Sequence, residues 1–582
     1  MQHGHATLGE RLAAHLQRIY PEQDTAALAA RLCQPMALDP RQEVEPRPRN
    51  LWDAGDVWMI CYGDSVADPD EAPLRTLRGL LDGPFAGLLS GVHILPFFPY
   101  SSDHGFAVTD YDTVQPALGD WADIRAIADS HRVMADLVIN HCSAEHPWFK
   151  AFCQGEGEGA DYFRSIDADE DLSAVVRPRT SDLRRPTSTA RGLAQVWCTF
   201  SHDQVDLDFR KPKVLEEFVR ILARQLEHGV RAFRLDAVAF LWKEAGTTCL
   251  NLPQTHEIVR LLRTLLEARD PDTILVTETN IPNRENLSYF GNGNEAHIVY
   301  NFSLPPLLLH TLWSGSCAHL KTWLMSMPPA QVGTCFLNFL ASHDGIGLRP
   351  AEGLLSEQEV GALIDTAQRH GGEVSWRSLG GERRPYEINI ALFDALRGTH
   401  AGEDALQRER FVCAHAIMLG LEGLPAFYIH SLLATGNDHE RYRRSGKPRS
   451  LNRHQWSAPA LRAALDDAES DQAQVLARLG ELIRIRRAQP AFHPNATQYT
   501  LHLEEQLLGF WRQSMDRRQS IFCISNVGRT PARLRLDRLN LSLMDEWHNL
   551  IGGRRYQSIA DVIELASYET VWISNRPTAP SP

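Results

Sequence analysis

The sequence predicts an α/β protein built on a parallel (β/α) barrel, and three features carry that prediction. Apolar, β-prone runs recur along the chain and end in ionisable residues. Stretches with helical spacing of apolar residues lie between them. Beyond Arg487 the pattern changes to short alternating segments that suit an antiparallel sheet. In a parallel barrel the strands are buried on both faces and read as continuous apolar runs, while the chemistry collects at their carboxyl ends.

In chain order, Leu8, Leu12, Leu16 and Ile19, then Leu28 and Leu32, stand at helical spacing broken at Pro21. They predict two short amphipathic helices in an N-terminal extension, residues 1–50. A polar, proline-containing stretch from Pro40 to Asn50 leads into the first part of the barrel, residues 51–142, with a strand near Val57 to Cys61. There Ala135 to Ile139 delivers Asn140-His141. Residues 143–205 are rich in Asp, Gly, Arg and Pro and too long for an ordinary connection, so they are read as an inserted domain.

The barrel resumes over 206–347. A helix from Lys213 to Glu227 precedes the strand Gly229 to Phe233, which places Asp236 at a carboxyl end. A helix from Leu252 to Arg269 precedes the run Thr273 to Thr277, which ends at Glu278. Cys335 to Leu340 leads to Ser342-His343-Asp344. Residues 348–396 form a second long excursion, and 397–490 hold the last part of the barrel. The apolar stretch Ala416 to Leu433 is interrupted by Glu422, Gly423, Pro425 and His430, which suits a barrel strand with flanks and not a membrane span. Residues 491–582 are read as a C-terminal antiparallel β-domain, with Pro577 to Pro582 as a frayed tail.

Arg234 stands two residues before Asp236, and a permanently charged guanidinium there would hold the carboxylate ionised and oriented. A lone Arg-x-Asp is more often a structural ion pair. Here the polar ends of three other runs, at Asn140-His141, Glu278 and His343-Asp344, make a site the better reading.

The strings Asp136 to His141, Arg234 to Asp236, Glu278 and His343-Asp344 resemble the four signature regions of the alpha-amylase superfamily of retaining glycoside-active enzymes. Arg234-Leu-Asp-Ala-Val238, Leu304-Pro-Pro-Leu-Leu-Leu-His310, His343-Asp-Gly-Ile-Gly347 and Leu451-Asn-Arg453 resemble its sucrose phosphorylase subfamily, with order kept from Val57 to Arg453. The N-terminal extension, Thr277 to Asn280 and Pro385 to Asn389 look more like the branch acting on glucosylglycerate or sucrose 6-phosphate than like plain sucrose phosphorylases.

The resemblance implies a (β/α)8 TIM barrel with the insertion as domain B, and a phosphorylase moving glucose between a small α-glucoside and inorganic phosphate. It implies Asp236 as nucleophile, Glu278 as general acid, and Asp344 as the acceptor of hydrogen bonds from the glucose 2- and 3-hydroxyls. His141 and His343 would donate to neighbouring hydroxyls, Asp103 would hold the 4-hydroxyl against the wall of Phe106, and Arg453 would form a bidentate pair with Asp103. Arg179, Tyr386, Glu387 and Phe240 match acceptor-side positions, and Arg377 stands near them as a holder of phosphate. Glucosylglycerate is the preferred donor, with sucrose, sucrose 6-phosphate and glucosylglycerol open. A hydrolase, a transglucosylase and a non-catalytic sugar-binding barrel are the alternatives.

No cofactor or metal is expected, since no contiguous Asp/Asn calcium loop and no Cys/His ladder is present. The net charge of −14 argues against nucleic acid or anionic membrane as partners. Ten scattered cysteines read as buried free thiols, and the first residues carry no basic region followed by an apolar core, so a cytoplasmic protein is expected. Oligomeric state is not readable.

Overall fold

The computed structural model describes residues 6–44, 48–179, 181–379, 382–539, 541–542 and 545–576. The first five residues and the Pro577–Pro582 tail lie outside the described residues.

Eight parallel strands close into a barrel: β1 (Trp58–Cys61), β2 (Gly91–Ile94), β3 (Arg132–Val138), β4 (Val230–Asp236), β5 (Ile274–Thr277), β6 (Ile298–Tyr300), β7 (Cys335–Asn338) and β8 (Leu424–Tyr428). Each follows its predecessor around the ring, and β8 closes on β1 through Trp58 opposite Ala426. Their residues are almost all buried, which is why the runs are apolar without alternation. Helix Pro212–Glu227 precedes β4 and helix Pro253–Arg269 precedes β5, each starting on a proline that needs no N–H partner at that position. The stretch 416–433 divides differently from its reading as one strand with flanks. Gln407–Gly420 is a helix, and β8 follows from Leu424. That helix is buried from Arg410 onward, so its sequence carries no amphipathic stripe to distinguish it from strand.

The N-terminal helices are α1 (Leu8–Ile19) and α2 (Thr25–Cys33), as the spacing predicts. Thr7 and Glu10 close a capping box at the start of α1. Buried Glu257, on the helix before β5, receives His15 Nδ1 and Arg18 NH1 at 2.7 Å each, which ties the extension to the barrel. Tyr20 donates to the Phe209 carbonyl at 2.7 Å and packs on Trp242, two residues beyond Phe240. The extension therefore supports the loop that follows β4.

Between β3 and the helix before β4, the inserted segment builds a hairpin of Arg184–Thr189 with Gly192–Trp197. A short pairing of His141–Ser143 with Gln204–Asp206 fixes its base at the mouth of the barrel. After β7, the second excursion forms helix Glu357–Arg369 and a hairpin of Glu373–Leu379 with Glu382–Asn389, and Ile346–Gly347 pairs with Ile388 and Glu387. Beyond the helix Asp471–Arg487 lies a six-stranded antiparallel sheet with its own core around Phe522, Trp547 and Ile573. No helix among the described residues is long and apolar enough to cross a membrane.

Candidate active site

The carboxyl ends of the strands open into one cleft, which brings together Asp103, Phe106, His141, Arg234, Asp236, Phe240, Glu278, His343, Asp344, Arg179 and Tyr386. A wider outer recess shares Asp103, Arg179 and Tyr386 and adds Glu387 and Arg453.

Asp236 is the last residue of β4. Arg234, two residues earlier on the same face of the strand, places NH1 2.8 Å from its Oδ1. The same NH1 donates to Asp136, which stands opposite Arg234 in the β3–β4 register. Asp136 in turn receives Nε2–H of His93 on β2 at 2.7 Å. Burial drives the His93 imidazole below its ordinary range, so it stays neutral and donates this one proton. Burial opposes ionisation of Asp136 too, yet Arg234 and His93 hold its carboxyl below the usual range. The guanidinium is thus fixed from behind, by residues on adjacent strands.

Glu278 follows β5. Its Oε2 accepts the Ala237 N–H at 3.2 Å and lies 3.7 Å from Arg234 NH2. Ala237 takes up that position with φ +51°, a left-handed conformation uncommon for a residue with a Cβ, immediately after Asp236. Burial raises the pKa of both Asp236 and Glu278, and Glu278 raises that of Asp236 further. Both carboxyls are therefore held above the ordinary carboxylate range, and because they interact they titrate as a pair. The direct contact of Arg234 with Asp236, 2.8 Å against 3.7 Å for Glu278, favours the state with Asp236 charged and Glu278 protonated.

Asp344 differs from both. Although burial opposes it, Arg449 at 2.5 Å holds its carboxyl well below the ordinary range, with His343 and Arg453 adding to the effect. The His343 ring stacks on Phe106 at 5.2 Å with an interplanar angle of 9°, making an aromatic wall. His141 also lines the cleft, but its Nε2–H is directed to the Phe106 carbonyl at 3.0 Å. Phe240 packs edge-on against Phe200 of the inserted domain, 5.6 Å between centroids.

Three expectations need correction. Arg453 forms no ion pair with Asp103 among the described residues. Its Nε donates to the His343 carbonyl at 2.7 Å, and its guanidinium lies over Tyr62. Asp103, at φ +53° in a left-handed turn, receives Gln204 Nε2 at 3.2 Å instead. Glu387 is only 2% exposed, and both its oxygens are taken by Arg449 at 2.8 and 2.9 Å, so it offers the acceptor no free carboxylate. Arg377 lines neither the cleft nor the recess and pairs with Glu352 at 2.6 Å. In its hairpin Ser375 stands opposite Glu387 and Trp376 opposite Pro385, so the extra residue, Tyr386, lies on the partner strand.

The sequence reading missed Arg449, Gln204 and Arg349, all of which line the cleft. Arg449 had a signal, since it stands four residues before Arg453 in Pro448-Arg-Ser-Leu-Asn-Arg453 and belongs to the same short turn. It bridges Asp344 and Glu387. Arg449→Leu strands the buried Glu387 charge and is expected to cost about 3–5 kcal/mol in urea unfolding. Adding Glu387→Leu should recover part of that loss, the rest belonging to Asp344, which also loses Arg449. A double variant no more stable than the single one would refute the coupling.

Residues 88–345 match the alpha amylase catalytic domain. The chain is 42% identical over 568 residues to a glucosylglycerate phosphorylase of Allomeiothermus silvanus, covering 97% of this chain and 98% of that one. The chain belongs to the sucrose phosphorylase subfamily of the alpha-amylase superfamily. Within the family it is also 39% identical to a glucosylglycerate phosphorylase of Escherichia coli, over 84% of this chain and 85% of that one. Among solved structures, sucrose 6F-phosphate phosphorylase from Thermoanaerobacter thermosaccharolyticum superposes with a TM-score of 0.71 at 25% identity, over 81% of this chain and 94% of that one.

Proposed function

We propose that this protein is a retaining phosphorylase that transfers glucose from 2-O-α-glucosylglycerate to inorganic phosphate and releases α-D-glucose 1-phosphate and glycerate. The observation that carries the reading is the likeness to glucosylglycerate phosphorylase along nearly the whole chain. The buried Asp236–Arg234–Glu278 arrangement supports the chemistry.

In the first half-reaction a carboxylate oxygen of Asp236 attacks the anomeric carbon. The bond to the glycerate oxygen breaks, and Glu278 gives that oxygen its proton. In the second, a phosphate oxygen attacks the same carbon, the ester to Asp236 breaks, and Glu278 takes the proton from phosphate. Two inversions retain the α configuration. Asp344, kept anionic, suits hydrogen bonds from the ring hydroxyls that strengthen as the ring flattens. Asp103, Gln204, His141 and Phe106 line the cleft together, and Gln204 donates to Asp103, an arrangement that suits the hydroxyls of a glucosyl unit. The described cysteines are unpaired, and all but Cys153 are buried, which supports work in the reducing cytoplasm.

A panel of glucosylglycerate, sucrose, sucrose 6-phosphate and glucosylglycerol, each with and without phosphate, tests the reading. The expected result is phosphate-dependent glucose 1-phosphate with glucosylglycerate as the best donor. Release of free glucose at the same rate without phosphate would make the protein a hydrolase, and preference for sucrose would move it to another branch.

A further inference from the structure

Arg349 lies at the start of a short turn, Arg349–Ala351, in the excursion after β7. Its backbone is fixed on both sides. Leu348 N–H donates to the Tyr386 carbonyl at 3.0 Å, and Ser303 Oγ donates to the Pro350 carbonyl at 2.9 Å. The side chain lines the cleft beside Tyr386 and Asn280 and is only 8% exposed, and its Nε is buried without a hydrogen-bond partner. Other buried arginines of this region each hold a carboxylate: Arg234 holds Asp236, Arg377 holds Glu352, and Arg453 lies 3.8 Å from Asp344. Arg349 holds none among the described residues. Arg179, which reaches the same cleft from the inserted domain, also has no carboxylate partner, and its guanidinium rests over Phe200.

A desolvated guanidinium without a counter-charge is costly, and an arriving oxyanion removes that cost. The planar fork matches a carboxylate or phosphate in two-point contact. We infer that Arg349 recognises the oxyanion end of the acceptor, the carboxylate of glycerate, and so determines selectivity for anionic over neutral acceptors. The inference rests on the reading of the protein as a glucosylglycerate phosphorylase. Inorganic phosphate is the same kind of oxyanion and enters the same side of the cleft in the opposite half-reaction. Arg349 is a binding residue here and takes no part in bond making.

The test runs synthesis from α-glucose 1-phosphate with D-glycerate and with glycerol, for the wild type, Arg349→Gln and Arg349→Lys. In Arg349→Gln the ratio of kcat/KM for glycerate to that for glycerol should fall by roughly 10- to 100-fold, through KM for glycerate more than through kcat. Lys keeps the charge and loses the fork, so Arg349→Lys should fall between. A parallel rise in the phosphate KM during phosphorolysis would mark one oxyanion site for both ligands, and no rise would mark a site for the acceptor carboxylate alone. Equal loss with both acceptors, leaving the ratio unchanged, would overturn the inference and make Arg349 structural. A wild type that prefers glycerate while Arg349→Gln keeps the ratio overturns this inference alone. A wild type that prefers glycerol overturns the donor reading and this inference with it.

Discussion

Asp236→Asn is expected to leave a folded protein whose formation of glucose 1-phosphate is slower by at least about a thousandfold, because an amide cannot form the glucosyl ester. The fold should survive because Arg234 keeps its second carboxylate. Asp136 still holds the guanidinium from β3, and His93 still holds Asp136. The comparison is of initial rates with glucosylglycerate and phosphate, alongside thermal unfolding monitored by circular dichroism. Activity within tenfold of wild type, in a preparation free of wild-type enzyme, would remove Asp236 from the role of nucleophile.

His93, Asp136 and Arg234 come from three adjacent strands and are buried, so they set the geometry of Asp236 before any ligand arrives. The sequence shows why part of this was readable. A strand buried on both faces must be apolar, so a polar residue within such a run, as in Met134-Ala-Asp-Leu-Val138 or Phe233-Arg-Leu-Asp236, announces a partner on the next strand. The strand ends and their residues were legible for that reason. The two N-terminal helices were legible because one face of each meets the protein and the other meets solvent.

What was not legible depends on how the loops cross above the barrel. Arg449 reaches Asp344 and Glu387 from a turn about a hundred residues later in the chain than Asp344, and no local pattern marks that meeting. Gln204 reaches Asp103 only because the inserted domain returns to pair with the segment after β3. Arg377 meets Glu352 from the turn that follows β7, a contact that no local pattern marks. Arg349 looks in the sequence like any loop arginine, and only its burial in the cleft without an ion-pair partner among the described residues distinguishes it.

Glu278→Gln should divide substrates by their leaving group. A glycerate oxygen needs a proton as its bond to glucose breaks, while fluoride departs without one. The variant is expected to lose at least about a hundredfold with glucosylglycerate and far less in forming the intermediate from α-glucosyl fluoride. The pH profile supplies an independent check. Burial raises both Asp236 and Glu278. As pH falls, activity should begin to fail above the ordinary carboxylate range of about 4, because Asp236 must be ionised to attack. As pH rises, it should fail when the pair gives up its remaining proton, because Glu278 must be protonated to assist departure. With glucosyl fluoride and Glu278→Gln the alkaline limb of the glucosylation step should vanish while an acid limb remains. In wild type the acid limb is protonation of Asp236 beside an already neutral Glu278, and the amide is neutral too, so this limb should stay close to its wild-type position. Equal large losses with glucosylglycerate and with the fluoride, or an alkaline limb that persists in the variant, would show that another group supplies the proton.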